Sequence, residues 1–491
     1  PIGNGSNGYT GIFDGNGKTV SGLYFNNDDA NYVSLIGHLD EDGSVKNVTV
    51  ANSYFRGYHY VGGVVGCTWD GAGVTGCRSS ATVAGEDYVG GIVGGNYGTP
   101  ITDCHNTGSV SGHYYVGGIA GYNTNNAVVT LCSNTGSVSA DYYVGGVVGH
   151  NNASVTNCYN TGSVSGTSNY VGGVVGYNYK TVTNCYNTGS VSGTRAIGGV
   201  VGYLYSGTVT NCYYLSGCAK DGASTIQFGI GNETQGSTTP DNTDVTTAKT
   251  SAQFASGEVA LLLGDAFGQS LDNGETVDAL PVKITATNKV YQCIGCDGTT
   301  IAYTNDAALK DKTKPHTFTE TSNGFCAECT VEGVYQPATD SDGDGYYEID
   351  NAGKLYWFAG QVKGGNNAIN GKLTANIVVN EGVLTEMAKN SPDPSGFRPW
   401  TPIGNGSNIY TGVFDGNGKT VSGLYFNDSA VARVGLFSYV GTNGKVQNVG
   451  VIDSYIHGNE FLGGVVGENS GTVDSCYNAG TVSGTGDGVG G

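Results

Sequence analysis

At 491 residues the chain is long enough to bury a large core and to hold several domains. Glycine is high at 85 residues but follows no Gly-X-Y register, which excludes collagen, and no apolar run approaches the length of a membrane span. With 41 acidic against 21 basic side chains, the net charge of −20 argues against nucleic acid, whose recognition rests on Lys and Arg against phosphate, and fits an extracellular or calcium-rich setting.

Residues 1–59 predict early β-coils: Tyr9 to Asn26 alternates around Phe13-Asp14-Gly15, and Ser34 to Tyr54 gives a second coil through Val45-Lys46-Asn47-Val48-Thr49-Val50. From Tyr60 to Cys212 one phrase is written six times. Its Gly-Gly-β-branched core follows Val61, Val89, Val116, Val144, Val171 and Ile197, at steps of 28, 27, 28, 27 and 26 residues. Cys77, Cys104, Cys132, Cys158, Cys185 and Cys212 keep the same beat. The repeat alternates with period two and shows no helical spacing, so each copy reads as one coil, too thin to bury its own apolar face, that must stack on the next. At roughly 4.8 Å per parallel strand, six coils make a stack on the order of 30 Å long.

Three ladders follow from that register. The Cys ladder predicts a buried stack of small apolar side chains, with adjacent-coil disulfides as the alternative. Asn106, Asn134, Asn160 and Asn187, resumed at Asn478, are expected to take the left-handed conformation of a corner and to hydrogen-bond along the axis. Tyr60, Tyr88, Tyr115, Tyr143 and Tyr170 form either a stack that stiffens the wall or an exposed stripe that binds sugar or protein.

After Cys218 the pattern dissolves into a Ser/Thr/Gly/Asn-rich stretch. Ser251 to Leu263 predicts a helix, expected on the open end of the coils, with packing against a side as the alternative. Residues 291–339 form a Cys-rich connector holding Cys293-x-x-Cys296 and Cys326-x-x-Cys329, with His316 between them. Four thiolates predict a structural zinc site in a segment too small to hold itself by a core; disulfides or thiol redox chemistry are the alternatives. Asp340-Ser341-Asp342-Gly343-Asp344 opens like a calcium loop, but the twelfth position is Asn351 rather than a bidentate Glu. A looser calcium loop through Asp340, Asp342 and Asp344, or a plain acidic turn, is expected. Asp350 then caps a helix to about Val362, and Lys372 to Val379 is the first strand beyond it.

A longer repeat frames these parts. Pro1-Ile2-Gly3-Asn4-Gly5-Ser6-Asn7 returns as Pro402 to Asn408, and Phe13-Asp14-Gly15-Asn16-Gly17-Lys18-Thr19-Val20 returns as Phe414 to Val421, an offset of 401 residues. The chain reads as one period plus an overlap from a longer tandem array. It divides into coils at 1–217, an irregular region and end cap at 218–290, the connector at 291–339, and the acidic loop, start cap and first coils of the next bead at 340–491.

The Tyr-Val-Gly-Gly-Val-Val-Gly coils, Phe-Asp-Gly-Asn-Gly-Lys-Thr-Val-Ser-Gly-Leu, and Gly-Tyr-Tyr-Glu-Ile with Leu-Tyr-Trp-Phe-Ala resemble GLUG-motif proteins, over nearly the whole chain apart from the connector. That resemblance implies an all-β, right-handed parallel β-solenoid with short capping helices, and large bacterial surface or secreted proteins. Similar coils occur in the non-catalytic part of bacterial immunoglobulin-A-cleaving metalloproteases, but this sequence has no His-Glu-x-x-His. Between Tyr88 and Leu215 only Asp103, Asp141, Lys180 and Arg195 are charged, too few for paired-carboxylate chemistry, and His105, His113 and His150 fall at different coil positions. The expectation is a non-enzymatic structural protein of the bacterial exterior, forming a fibre, stalk or filament with other copies of itself. A carbohydrate- or host-binding adhesin, or the accessory region of a secreted enzyme, are the alternatives.

Overall fold

A computed structural model describes residues 1–222, 224–226, 228–231, 246–271, 277–328, 331 and 334–490. The chain forms two compact units, Pro1–Cys293 with Ile301–Lys312, and Ile294–Thr300 with Thr313–Gly491. Both are built on parallel β-solenoid coils, and the few helices are short.

In the first unit each regular coil makes five short strands. In one coil these are Tyr142–Gly145, Val148–Asn151, Ser154–Thr156, Tyr159–Asn160 and Val164–Gly166. Equivalent strands of successive coils pair in parallel, giving sheets of 6, 7, 15 and 9 strands. The register is the one the repeat dictates, with Val61, Val89, Val116, Val144, Val171 and Ile197 in one line. Every coil sends six small side chains inward; in the coil above they are Val144, Val147, Val148, Val155, Cys158 and Val164, none more than 1% exposed. The bore is therefore narrow and filled by β-branched residues and thiols, which suit a pleated, closely spaced wall.

The 15-stranded sheet shows how a corner is made. Ser44–Ala51 is one unbroken strand whose two halves pair with Gly73–Thr75 and Arg78–Ser79. In later coils the residue before the cysteine takes a left-handed conformation: Gly76, Asp103, Leu131, Asn157, Asn184 and Asn211, with φ between 51° and 64°. A second left-handed point falls on Tyr60, Tyr88, Tyr115, Tyr143 and Tyr170, with φ between 56° and 67°. The expected left-handed residues, Asn106, Asn134, Asn160 and Asn187, are not among the positive-φ positions. Their backbone lies in strands, and their amides do the work described below.

Beyond the last regular coil, Thr246–Lys249 adds one more parallel rung to Cys212–Leu215. Helices α1 (Ser251–Ala255) and α2 (Glu258–Leu263) do not sit on the open end as expected. Phe254, Val259 and Leu263 pack with Phe267 on Tyr186 and Tyr213, and Tyr159 joins them, so the pair lies along the flank of three successive coils. The reason is chemical: those coils present a stack of tyrosines there, Tyr159 and Tyr186 at 5.0 Å, which is the apolar surface on offer.

In the second unit, Tyr346–Ile349 and Asn370–Leu373 begin a parallel sheet continued by Val413–Asp415, Lys445–Gln447 and Thr472–Asp474. Helix α3 (Ala352–Lys363) buries Leu355, Phe358, Ala359 and Val362, and Phe358 meets Phe414 at 5.7 Å and Tyr410 at 6.2 Å. It caps the coil core as expected. Its N-cap is Asn351, which accepts from the Lys354 N–H; Asp350, the expected cap, pairs with the Lys354 Nζ at 2.8 Å. The 401-residue offset is structural as well as textual. Ile2 bridges Ile36 as Ile403 bridges Phe437, Tyr9 bridges Leu39 as Tyr410 bridges Val440, and Ser53 Oγ accepts from Leu23 as Ser454 Oγ accepts from Leu424.

Candidate functional site

The features that recur in the first unit are polar and aromatic ladders. Asn106, Asn134, Asn160 and Asn187 are fully buried, and each Nδ2 donates at 2.8 Å to the Oδ1 of the next. The second N–H of each donates to the carbonyl two residues on, at 2.8–2.9 Å. With Asn187 Nδ2 also meeting Cys218 Sγ at 3.5 Å at the end of the ladder, every buried amide hydrogen is paired, which buried polar groups require. A second ladder escaped the sequence reading. Asn96, Asn123, Asn151 and Asn178 are equally buried and bond along the axis at 2.7–2.9 Å, with Thr68 Oγ donating to Asn96 at 2.6 Å. The signal was present in the Val-Gly-x-Asn or Ala-Gly-x-Asn phrase, whose Asn stands three residues past Val93, Ala120, Val148 and Val175.

The first ladder explains one glycine of the Gly-Gly pair. A Cβ on Gly146 would lie 2.1 Å from the Gly173 carbonyl oxygen and 2.4 Å from the Asn160 amide carbon. Any side chain there would strike both the next coil and the ladder across the bore.

The cysteine ladder is buried and free of disulfides. Each thiol donates to the carbonyl two residues earlier, at 3.1–3.4 Å. Burial pushes the Cys104 and Cys132 thiols well above their ordinary range, so these sulfurs carry no nucleophilic thiolate.

The tyrosine ladder is longer than expected, running through Tyr32, Tyr60, Tyr88, Tyr115, Tyr143 and Tyr170 with ring centroids 4.9–5.2 Å apart and planes within 25°. A second row, Tyr97, Tyr122, His150, Tyr177 and Tyr203, presses against it edge-on, as at Tyr88–Tyr122 (84°) and Tyr115–His150 (82°). Burial, then the neighbouring tyrosines, push the Tyr115 phenol up to about 12. His150 is held down at about 4 by burial. Each inner ring of the first row is covered on both faces by its neighbours, and the row ends at Tyr170, where the next coil has Ala196.

Several charged groups of the coils pair with one another. A cleft of about 760 Å³ is lined by Asp28, Asp29, Arg56, Glu86, His113 and Asp141. Arg56 pairs with Asp28 there, and His113 bridges Glu86 at 2.9 Å and Asp141 at 3.3 Å. His105 binds Ser133 Oγ at 2.6 Å beside Asp103, which Lys283 also meets at 2.8 Å.

The connector residues belong partly to each unit. Cys293 is buried in the first, Cys296 and Cys326 lie in the second, and Cys329 falls outside the described residues. Cys296 and Cys326 meet with Sγ atoms 3.6 Å apart, and His316 joins them. In the acidic loop the carboxylates of Asp340, Asp342 and Glu348 converge within 4.8 Å of one another, Glu348 taking the place expected of Asp344. Asp344 turns to Lys372 at 2.7 Å, and Lys372 also reaches Asp342 at 3.4 Å.

With this geometry in view, the regular coils can be compared with known repeats. Residues 85–111, 112–139, 140–165 and 167–192 each match the GLUG motif. These four coils are GLUG repeats. Over 86 residues the chain is 40% identical to Halomucin of Haloquadratum walsbyi, covering 18% of this chain and 1% of that protein. It is 34% identical over 86 residues to a protein of Evansella cellulosilytica named as a Gly-rich membrane protein, covering 17% of this chain and 10% of that one. The chain therefore spans a small part of either relative. A solved structure from Bacteroides ovatus, assigned as an immunoglobulin A1 protease, aligns over 55% of this chain and 76% of its own at 19% identity, with a TM-score of 0.35. Among the described residues no helix is long and apolar enough to cross a membrane.

Proposed function

We propose that the GLUG coils are a structural element of a cell-surface or secreted repeat protein, a stiff spacer that performs no catalysis and that assembles in tandem as a stalk or fibre. One observation carries this reading: the recurrent side chains of the coil are spent on the coil itself. Both Asn ladders and the first tyrosine row direct their contacts along the stack, to the same residue of the next coil. A sugar platform needs open ring faces, and stacking at 4.9–5.2 Å covers them. The names of the relatives, a mucin-like word and a membrane protein, support a surface or secreted setting. The connector has no long Gly-Ser or Pro tract, so tandem copies are expected to hold a regular spacing.

Imaging and small-angle scattering of a chain carrying two full 401-residue periods test the proposal. A regular, extended array with a fixed repeat distance supports it. A broad distribution of angles between beads would reduce the assembly to a flexible tether, and saturable binding of a glycan that is lost in Tyr115→Ala would favour an adhesin.

A further inference from the structure

The second unit contains a small segment that its apolar core does not explain. Between Thr313 and Gln336, among the described residues, only Gly324 is buried. The unit's core begins beyond it, at Ala338, with Phe325 and Tyr335 packed on its edge. A stretch so exposed needs another means of holding one conformation.

Three donor atoms supply a candidate. Cys296 Sγ, Cys326 Sγ and a ring nitrogen of His316 all lie within 4.8 Å of one another. They come from three short strings of chain that the backbone ties together. The turn at Cys296 is closed by Gly295 N–H to the Thr300 carbonyl at 2.6 Å, with Asp297 accepting from the Thr299 and Thr300 amides at 2.9 and 2.8 Å. Lys314 N–H donates to the Ile294 carbonyl at 2.8 Å, which brings the His316 string alongside. Ala327 N–H donates to the Thr317 carbonyl at 2.9 Å, which brings Cys326 to the same point.

The sulfur separation distinguishes a disulfide from a pair of thiols or metal-bound thiolates. Disulfide sulfurs sit about 2.05 Å apart. Two thiolates at about 2.3 Å from one tetrahedral ion are separated by about 3.8 Å. The observed Sγ–Sγ distance is 3.6 Å. Cys296 is buried, and Cys326 and His316 are half-buried, so an ion there would be shielded yet reachable. Two thiolates and a neutral imidazole suit a borderline-soft divalent cation, and they exclude the hard-oxygen chemistry of calcium.

We propose that Cys296, His316 and Cys326 bind one zinc ion that holds the connector in its fold, with His316 as a direct ligand and a fourth position open to a further donor. Zinc binding releases the two thiol protons and changes no oxidation state.

Zinc analysis of the full chain, purified without chelator, tests this, together with cobalt titration of the metal-free chain. About one zinc per chain and a thiolate-to-cobalt charge-transfer band are expected. Cys296→Ser and His316→Ala should each weaken zinc retention by at least 10-fold, while far-ultraviolet circular dichroism shows the coils still folded. His316→Cys should restore retention and strengthen the charge-transfer band, which a purely structural histidine would not do. Absence of zinc with no cobalt band, a Cys296–Cys326 disulfide in non-reducing peptide maps, or full zinc retention in His316→Ala would each overturn the assignment.

Discussion

Removing one amide from the middle of the first ladder should destabilise the coils far more than its size suggests. In Asn160→Ala three hydrogen bonds of 2.8 Å disappear, those to Asn187 Oδ1 and the Gly162 carbonyl and that from Asn134 Nδ2. Asn187 Oδ1 keeps its bond from the Gly189 N–H at 3.1 Å, and Asn134 keeps its bond to the Gly136 carbonyl at 2.8 Å. What is stranded is one N–H of Asn134 and the Gly162 carbonyl, in a place with no access to water. At about 1–3 kcal/mol for each buried group left unpaired, the loss is about 2–6 kcal/mol. Asn160→Asp has the same shape but opposes a carboxylate to the Asn187 and Gly162 oxygens, so it should cost more than alanine at neutral pH. Burial and those oxygens raise the folded carboxyl above its unfolded value of about 3.9. The variant is therefore most stable below that pH, weakens as pH rises through the folded value, and stays weak above it. Denaturant midpoints, with hydrogen exchange resolved coil by coil, measure both effects. A cost within about 0.5 kcal/mol of that for the half-buried neighbour variant Asn152→Ala, or an Asp variant insensitive to pH, would refute the ladder as a source of stability.

Gly146→Ala should cost at least about 3 kcal/mol, because its Cβ meets backbone at 2.1 Å rather than a flexible side chain; a thermal midpoint like that of the parent would contradict the close approach. His150, held at about 4 against about 6.5 in the unfolded chain, is neutral in the fold, so stability is full above about 6.5 and falls by up to about 3 kcal/mol as pH drops toward 4. His150→Tyr, matching Tyr122 and Tyr177 in the same row, should flatten that acid limb, and an unchanged limb would assign it to other groups. Calcium is expected to order the loop around Asp340, Asp342 and Glu348; equal protease cleavage near residue 340 with and without chelator would leave Lys372 as its sole charge balance.

The coils were legible because period and chemistry coincide. Valine, glycine and cysteine recur at fixed coil positions, so their ladders could be written down from spacing alone. The bends were not legible in the same way. The left-handed position before each cysteine is held by Gly, Asp, Leu or Asn, so conformation recurs there while residue type does not. Tyrosine at the second bend runs against ordinary preference, since a bulky residue at positive φ is strained, and only the stacked rings show why it is kept. His316 was visible as a histidine between two cysteine pairs, but its meeting with Cys296 and Cys326 depends on turns that no spacing encodes. The helical stretch from Ser251 to Leu263 was found, though as two short helices broken at Gly257 rather than one; its seat on the flank depended on Tyr159, Tyr186 and Tyr213 lining up outward, a match between distant segments.

Because each regular coil offers its neighbours the same inward six and the same ladder ends, any coil is interchangeable with any other. Excision of residues 142–168 would seat Val171 on Val116, Cys185 on Cys132, Asn187 on Asn134 and Tyr170 on Tyr115, keeping the bore and ladder contacts, while the flank helices would lose Tyr159. Gain or loss of a coil by unequal recombination would leave the cross-section untouched and change only the reach. In such a fold, length is a quantity that selection can adjust in single steps of about 27 residues, without redesigning a core at each step.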